Sequence, residues 1–443
     1  MKNKRLVGLV ALMSLCLVGC GEKASETAKP GSEEKPASEA PAAKKEEIVI
    51  GSPSTALTFV KTHAEAYLTA NNLADKYTIK TYELSEGTAD TDVKDWTAPA
   101  SPDIYAFASD KISNLKQAGA LSPVPEAYSD TFVTSMGEVS GKSTFLGDTA
   151  YAYPYSGDNG YFLYYNKDLV PSNKVGSVED IVAACKAKNV KFGYNLQEET
   201  FFGIGALMTF GARYSVTLKT DGSFNKATSD FNSENGYKGG KAVYNLLHNE
   251  DIVTTKAGSR DVFPTAATGI GAIVEGSWKY DAYKNGVKDD KGNITTPGLG
   301  DKLGLCKLPT VTLDGETKNC ASFLGYKFYG VNPMKSSGNA EKLTVLHGIA
   351  NYFISDAVQE DRFDKLTVVP TSETVKAMDK VANSELVKAL ADQSAYSIPQ
   401  TVVPGGIWDG AKACEASLLD CDGTDASIKT IMDTFAKAIE ASK

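Results

Sequence analysis

The feature that most constrains this chain is an alternation of strand-like and helix-like runs that begins at residue 47 and continues almost to the C-terminus. Ile48-Val49-Ile50 is a short apolar run closed by the turn residues Gly51-Ser52-Pro53-Ser54. Val60, Ala64, Tyr67 and Leu68 then recur at i, i+4, i+7 and i+8, one face of a helix. Residues 77–84 alternate as a second strand, 102–108 (PDIYAFA) read as a third, and 110–118 return to helix. This order builds a parallel α/β sheet, whose ligands bind beyond the carboxyl ends of the strands. GYFLYYN, KFGYNL, GIGAIVEG and YKFYGVN continue the strands. The stripes Leu343, Leu346, His347, Ala350, Phe353 and Ile428, Ile431, Met432, Phe435, Ile439 continue the helices. No self-similar period of about 20–50 residues is present, which argues against a solenoid. The 443 residues suit two or three domains or one large two-lobed unit.

A different composition precedes this body. Lys2, Lys4 and Arg5 lead into an apolar run from Leu6 to Val18. That run is too short for a good spanning helix and has the layout of a secretory signal. It ends in Leu17-Val18-Gly19-Cys20, which resembles the bacterial lipobox, whose cysteine is acylated and becomes the mature N-terminus. Residues 1–19 are therefore expected to be a lipoprotein signal peptide, and 20–46 a lipidated Cys20 with a flexible tether. The tether is Glu, Lys, Ala, Ser, Pro and Gly, with too little apolar surface to form a core. Stable anchoring takes more than one acyl chain. The expected location is extracytoplasmic, anchored to the bacterial cell membrane. A formal net charge of -9 argues against a nucleic-acid partner, which needs a basic surface to replace condensed counterions.

Cys16 leaves with the signal, so Cys185, Cys306, Cys320, Cys414 and Cys421 remain beside the lipidated Cys20. An oxidising compartment permits disulfides. Cys306 and Cys320 flank the hairpin signal Asp314-Gly315, and Cys414 and Cys421 lie near a Gly/Asp-rich turn. For each couple a bridge and two free thiols both stay open. Cys185 in IVAACKAK reads as a small buried hydrophobe. With three His and no CxxC, a zinc site is not expected, and no metal or other cofactor is called. Neither a G-x-S-x-G elbow nor a P-loop occurs. His63 and His347 lie within apolar helix stripes and read as structural, and His248 ends a helix. Asp420, Asp422 and Asp425 read as a solvated turn, since their spacing does not fit a calcium loop.

The aromatics carry more information. Trp278 ends the run IVEGSW, and Trp408 follows Pro404-Gly405-Gly406-Ile407 at a loop entering a helix. Large rings at strand ends suit stacking on flat apolar faces such as the C–H face of a pyranose. Trp96, before a Pro-rich turn, reads as a packing residue.

With these residues in view, the chain resembles the maltose/maltodextrin-binding group of extracellular solute-binding proteins that serve ABC importers. The resemblance runs through SPDIYAFASDKISNLKQAGALSPV (101–124), TAYAYPYSGDNGYFLYYNKDLVP (149–171) and YNLQEETFFGIGALMTFGARY (194–214). AIVEGSWKYDAY, SFLGYKFYGVNP and IPQTVVPGGIWDGAKA (398–413) follow in the same order. It implies a two-lobed periplasmic-binding-protein-like α/β fold, with the ligand in the cleft between lobes. Three hinge crossings are expected near 155–159, 324–328 and 380–384. Lobe one would comprise 47–155 plus 328–380, and lobe two 160–324 plus 384–443. It also implies a monomeric binding component, not an enzyme, that captures an oligosaccharide and hands it to permease subunits. Maltose or maltodextrin is the leading ligand. A xylo- or fructo-oligosaccharide, a non-sugar ligand and a surface glycosidase are the alternatives.

Site roles follow from the same resemblance. Phe107 stands where a sugar-facing Trp is usual, and Asp110 would accept sugar hydroxyls. Lys111 replaces an Arg and loses its two-bond fork. Tyr155 and Asp158 fall in the crossing, with Asn159 as an alternative to Asp158 because the stretch is one residue longer than usual. Glu198 and Phe201 match the acidic and aromatic positions of lobe two, while Thr200 replaces a common Tyr. Trp278 and Trp408 match the two main stacking rings, and Lys412 replaces a second Arg.

Overall fold

The computed structural model describes residues 45–442 except 199, 221, 290 and 291. The signal peptide, Cys20 and all but the last two residues of the tether (21–46) lie outside the described residues. The strands are β1 (Glu46–Ser52), β2 (Tyr77–Glu83), β3 (Ile104–Ala108), β4 (Tyr153–Asn166), β5 (Lys191–Tyr194), β6 (Ile252–Val253), β7 (Ile270–Gly276), β8 (Leu303–Cys306), β9 (Ser322–Val331) and β10 (Ser397–Gln400). The helices that matter below are α1 (Leu57–Ala70), α2 (Ile112–Gln117), α3 (Thr200–Leu207), α4 (Glu234–Leu247), α5 (Ala340–Phe353), α6 (Asp356–Leu366), α7 (Glu385–Ser394), α8 (Ile407–Asp420) and α9 (Asp425–Glu440). Among the described residues, β1 to β10 join one sheet in the order β6-β5-β7-β4-β9-β3-β1-β2, with β8 added to β4 and β10 to β9.

The two central strands run through both halves of this sheet. Tyr153, Pro154 and Ser156 of β4 pair with Tyr329, Phe328 and Lys327 of β9. Further along, residues 161–165 of β4 pair with β7, and residues 163–166 with β8. β1 lies parallel to β2 and β3, and β5 parallel to β6 and β7. Each half is therefore a parallel α/β unit, and antiparallel strands pass between the two.

The cores segregate the same way. Ile48, Val60, Ile104, Tyr153, Leu346, Ile349 and Phe353 form one buried cluster. Phe192, Phe202, Val243, Leu418, Met432 and Phe435 form another. The helix periods come from this burial. In α9, Ile428, Met432, Phe435 and Ile439 are all at most 2 % exposed, and each such side chain is worth roughly 1.5–3 kcal/mol out of water. The Thr424 hydroxyl starts the helix by accepting the Ser427 N–H. No described helix is long and apolar enough to cross a membrane.

β3 corrects one sequence expectation. It is buried on both faces, as a strand inside a sheet covered on both sides must be. Alternate residues face opposite ways. Ile104 and Ala106 join the cluster around Ile48, and Tyr105 and Phe107 join a third cluster with Trp96, Leu115 and Phe328. Phe107 is thus a core residue, fully buried, its ring edge-on to Phe328 at 5.6 Å. Trp96 packs at 4.5 Å from Tyr105, the packing role its sequence context implied.

The disulfide option is corrected as well: Cys306, Cys320, Cys414 and Cys421 are free thiols, like Cys185. In the hairpin of Thr310–Leu313 with Glu316–Asn319, Thr310 faces Asn319, and Cys320 N–H reaches the Pro309 carbonyl. The register therefore sets Cys320 opposite Pro309 rather than Cys306. Cys414 lies within α8 and Cys421 at its end. Seven helical residues advance about 10 Å, too far for a bridge.

Candidate functional site

A cavity of about 590 Å³ opens where the sheet halves meet, within the range of small-molecule sites. One wall comes from residues at or just after the ends of β1, β2 and β3: Pro53 to Thr55, Glu83 to Thr88, and Ala108, Asp110 and Lys111. These are carboxyl ends of parallel strands, where such sheets place ligands. The opposite wall is Thr200, Phe201, Arg260, Trp278, Lys279 and Trp408, with Asn159 and Gln400 also lining it.

Three rings dominate the second wall. Phe201 sits at the start of α3, 6.2 Å from Trp278 and 6.4 Å from Trp408. Its backing ring, Phe323, stacks at 5.7 Å and 22°. α3 can lie this close because two of its residues lack side chains. A Cβ on Gly203 would collide with the Glu415 carboxylate, and one on Gly205 with the Tyr161 hydroxyl. Trp278 follows β7 in a short 3-10 turn and folds back over Gly276, where a Cβ would strike the indole. It remains 37 % exposed. The Arg260 guanidinium lies 5.5 Å from its ring centre.

Most of the charges around the cavity are paired. Lys111 Nζ lies 3.0 Å from Asp110 Oδ2 and 5.7 Å from the centre of the Trp408 ring on the far wall. Burial pushes the Asp110 carboxyl up, with Lys111 opposing. For Lys111 burial pulls down, but Asp110 outweighs it and the net shift is upward. Asp110 Oδ1 is buried without a hydrogen-bond partner. Asp110 does not cap the helix that follows. Arg260 Nε lies 3.6 Å from Glu275 Oε2, and Lys279 Nζ lies 2.7 Å from Asp261 Oδ1. Glu86 accepts the Tyr155 hydroxyl and lies 3.4 Å from Lys327 Nζ. Among the described residues no group of three or more His, Cys, Asp or Glu is arranged to hold a metal ion.

Of the residues singled out in the sequence, the structure brings Asp110, Lys111, Phe201, Trp278 and Trp408 to this cavity. Five others lie elsewhere. Phe107 is in the core for the reason given above. Tyr155 stands behind Glu86, stacked on Tyr329 at 4.4 Å. Asp158 is consumed by the crossing: its Oδ2 accepts Val369 N–H at 3.1 Å, and its Oδ1 accepts the Ser156 hydroxyl. The alternative, Asn159, lines the cavity and donates to Gln400 Oε1 at 2.8 Å. Glu198 is exposed in a left-handed turn with φ 68°, and Lys412 is exposed one helical turn beyond Trp408. Only the N-terminal turn of α8 reaches the cavity. Glu86, Arg260, Lys279 and Gln400 were missed. Glu86 had a signal, since it follows a parallel strand in the turn-rich stretch LSEG.

Comparison with known proteins agrees with this geometry. Residues 63–389 match the model of the bacterial extracellular solute-binding protein family. The chain is 23 % identical to the galactooligosaccharide-binding protein of Bacillus subtilis, covering 91 % of this chain and 89 % of that protein. It is also 23 % identical to a maltooligosaccharide ABC transporter solute-binding lipoprotein of Streptococcus pneumoniae, covering 93 % and 91 %. Among solved structures, a maltodextrin binding protein of L. casei BL23 without ligand aligns with a TM-score of 0.71 at 18 % identity, over 90 % of this chain and all of that one. A maltose/maltodextrin-binding domain of Bdellovibrio bacteriovorus bound to maltotriose aligns with a TM-score of 0.68 at 16 % identity, over 90 % and 99 %. These likenesses establish a two-lobed periplasmic-binding-protein fold, and the family match over most of the chain places it: this protein belongs to the bacterial extracellular solute-binding proteins.

Proposed function

We propose that the protein is the binding component of an ABC importer that captures an oligosaccharide of the maltose/maltodextrin type and delivers it to permease subunits. It does so as a monomer held to the membrane through lipidated Cys20, without catalysing a reaction. The observation that carries this reading is the cavity wall of Phe201, Trp278 and Trp408, faced across the cleft by Asp110 and Lys111. Flat rings stack on pyranose C–H faces, and matched ion pairs on both walls suit a neutral polyhydroxyl ligand better than a charged one. Lobe one is taken as 47–155 plus 328–380 and lobe two as 160–324 plus 384–443. Closure about the crossings, the third near 380–384, would bury the ligand and favour the bound state by differential contact.

The specific second reading is a galacto-oligosaccharide, favoured by the Bacillus subtilis relative. Titration of the unlipidated protein with maltotriose and with galacto-, xylo- and fructo-oligosaccharides, followed by tryptophan fluorescence, separates them. Saturable response to maltotriose alone supports the leading reading, and response to galacto-oligosaccharide alone replaces its ligand. Silence with every sugar overturns the carbohydrate assignment. Slow release of shorter sugars from a bound oligosaccharide would overturn the non-catalytic one.

A further inference from the structure

Behind the cavity lies a charge that neither wall displays. Lys327 is in the middle of β9 and is 5 % exposed. It does not line the cavity, yet its ammonium meets groups from both walls and from the crossing between them. Glu86 Oε2 of the first wall lies 3.4 Å away, and Asp158 Oδ1 of the neighbouring crossing strand lies 3.8 Å away. The centre of the Trp278 ring, in the second wall, lies 5.8 Å away. An ammonium buried this deeply is costly without partners. Burial pulls its pKa down, but Glu86 and Asp158 outweigh that and the net shift is upward, so it stays charged.

Those partners are the informative part. Tyr155, Lys327 and Glu86 form a chain in which the Glu86 carboxylate takes a hydroxyl on one oxygen and an ammonium near the other. Glu86 is thereby fixed at the cavity face. On the other side the same positive charge lies near an indole ring and is attracted by its quadrupole. The second crossing strand therefore carries a single cation that addresses one ligand-facing group in each lobe.

Resting on the sugar-binding reading above, we infer that Lys327 is a positioning residue for the ligand: its ammonium holds Glu86 on one wall and Trp278 on the other in the arrangement that grips the sugar. It touches no ligand itself. Removing the charge while keeping the length frees Glu86 to turn to solvent and leaves Trp278 without one of its two neighbouring cations. Lys327→Arg keeps the charge.

The test uses protein labelled with 5-fluorotryptophan, whose three Trp give three ¹⁹F lines, with the Trp278 line assigned by Trp278→Phe. Lys327→Met, Lys327→Arg and Glu86→Gln are compared, with maltotriose and galacto-oligosaccharide as probes. The expected results have two parts. In the ligand-free protein Lys327→Met moves the Trp278 line while the Trp96 line stays, and Lys327→Arg leaves the Trp278 line near the wild-type position. Lys327→Met and Glu86→Gln bind the sugar at least tenfold more weakly, and Lys327→Arg recovers most of that loss. An unchanged Trp278 line or an unchanged sugar affinity in a folded Lys327→Met protein overturns the inference and leaves the sugar-binding reading standing. If the wild type binds neither probe, the sugar-binding reading falls instead, while the ligand-free spectra still decide whether Lys327 acts on Trp278. Should Lys327→Met fail to fold, Glu86→Gln carries the affinity arm and Lys327→Arg the spectral arm: a shifted Trp278 line in Lys327→Arg, or unchanged affinity in Glu86→Gln, has the same overturning force.

Discussion

At the scale of single residues, Phe107 and Trp278 separate core packing from cavity lining. Phe107 is fully buried against Tyr105 and Phe328. Phe107→Leu should lower stability by about 1–2 kcal/mol and leave sugar affinity unchanged when measured well below the lowered melting temperature. Trp278→Ala and Trp408→Ala should do the reverse. Each loses on the order of 1 kcal/mol or more of binding, about fivefold or more in Kd, with little change in thermal unfolding. Calorimetric titration beside a melting curve checks both. Gly276 gives a subtler case. Its φ of −76° suits any residue, but a Cβ there would meet the Trp278 indole. Gly276→Ala should push the ring from its seat and weaken sugar binding at least severalfold, while the circular dichroism spectrum stays that of the parent.

At the scale of elements, helix α5 carries a pH dependence. His347 sits on its buried face, its Nδ1 2.8 Å from the Tyr153 hydroxyl and its Nε2 3.0 Å from Ser122 Oγ. Burial pulls its pKa down to about 4, against about 6.5 in an unfolded chain. The folded state thus holds the neutral ring where the unfolded state is already protonated. The contribution is intact above pH ~6.5 and is lost as pH falls through the interval toward 4. The loss should reach on the order of 3 kcal/mol at its lower end. Melting temperature measured across this interval should fall more steeply for the wild type than for His347→Gln. Equal slopes would mean that His347 is not the group responsible. Elements also set what the sequence disclosed. The strand–helix order, the stripes of α5 and α9, and the position of Trp278 after β7 are local patterns and were legible. The direction of Phe107 was not, because the run IYAFA is apolar throughout and nothing local says which of its faces meets the cleft.

At the scale of the whole molecule, antiparallel β4 and β9 pass between two α/β halves with separate cores. Stability and recognition are thereby assigned to different places. The cores hold each half, and the cavity-lining groups stand at or just beyond strand ends. The thiols follow the same division. Cys185, Cys320 and Cys414 are buried small residues, and burial pushes the Cys320 thiol up to about 12. A reductant-free, denatured sample of the protein without Cys20 should therefore titrate five thiols from the five described cysteines. A count of three or one would mean a disulfide.

The sequence by itself determined the α/β class, the order of elements, the family likeness, and the choice of Trp278, Trp408, Phe201, Asp110 and Lys111 as site candidates. All of these rest on period, turn chemistry and short motifs, which act between neighbours in the chain. Only the tertiary structure decided that Phe107 turns to the core, that Asp158 serves the crossing while Asn159 faces the cavity, and that Glu198 and Lys412 stand outside it. The same holds for Glu86, Lys327 and Trp278, which meet across 241 residues of sequence. Which side of a strand faces the cleft, and which charges find each other, depend on pairing register and burial between segments far apart in the chain. A local pattern carries no record of either.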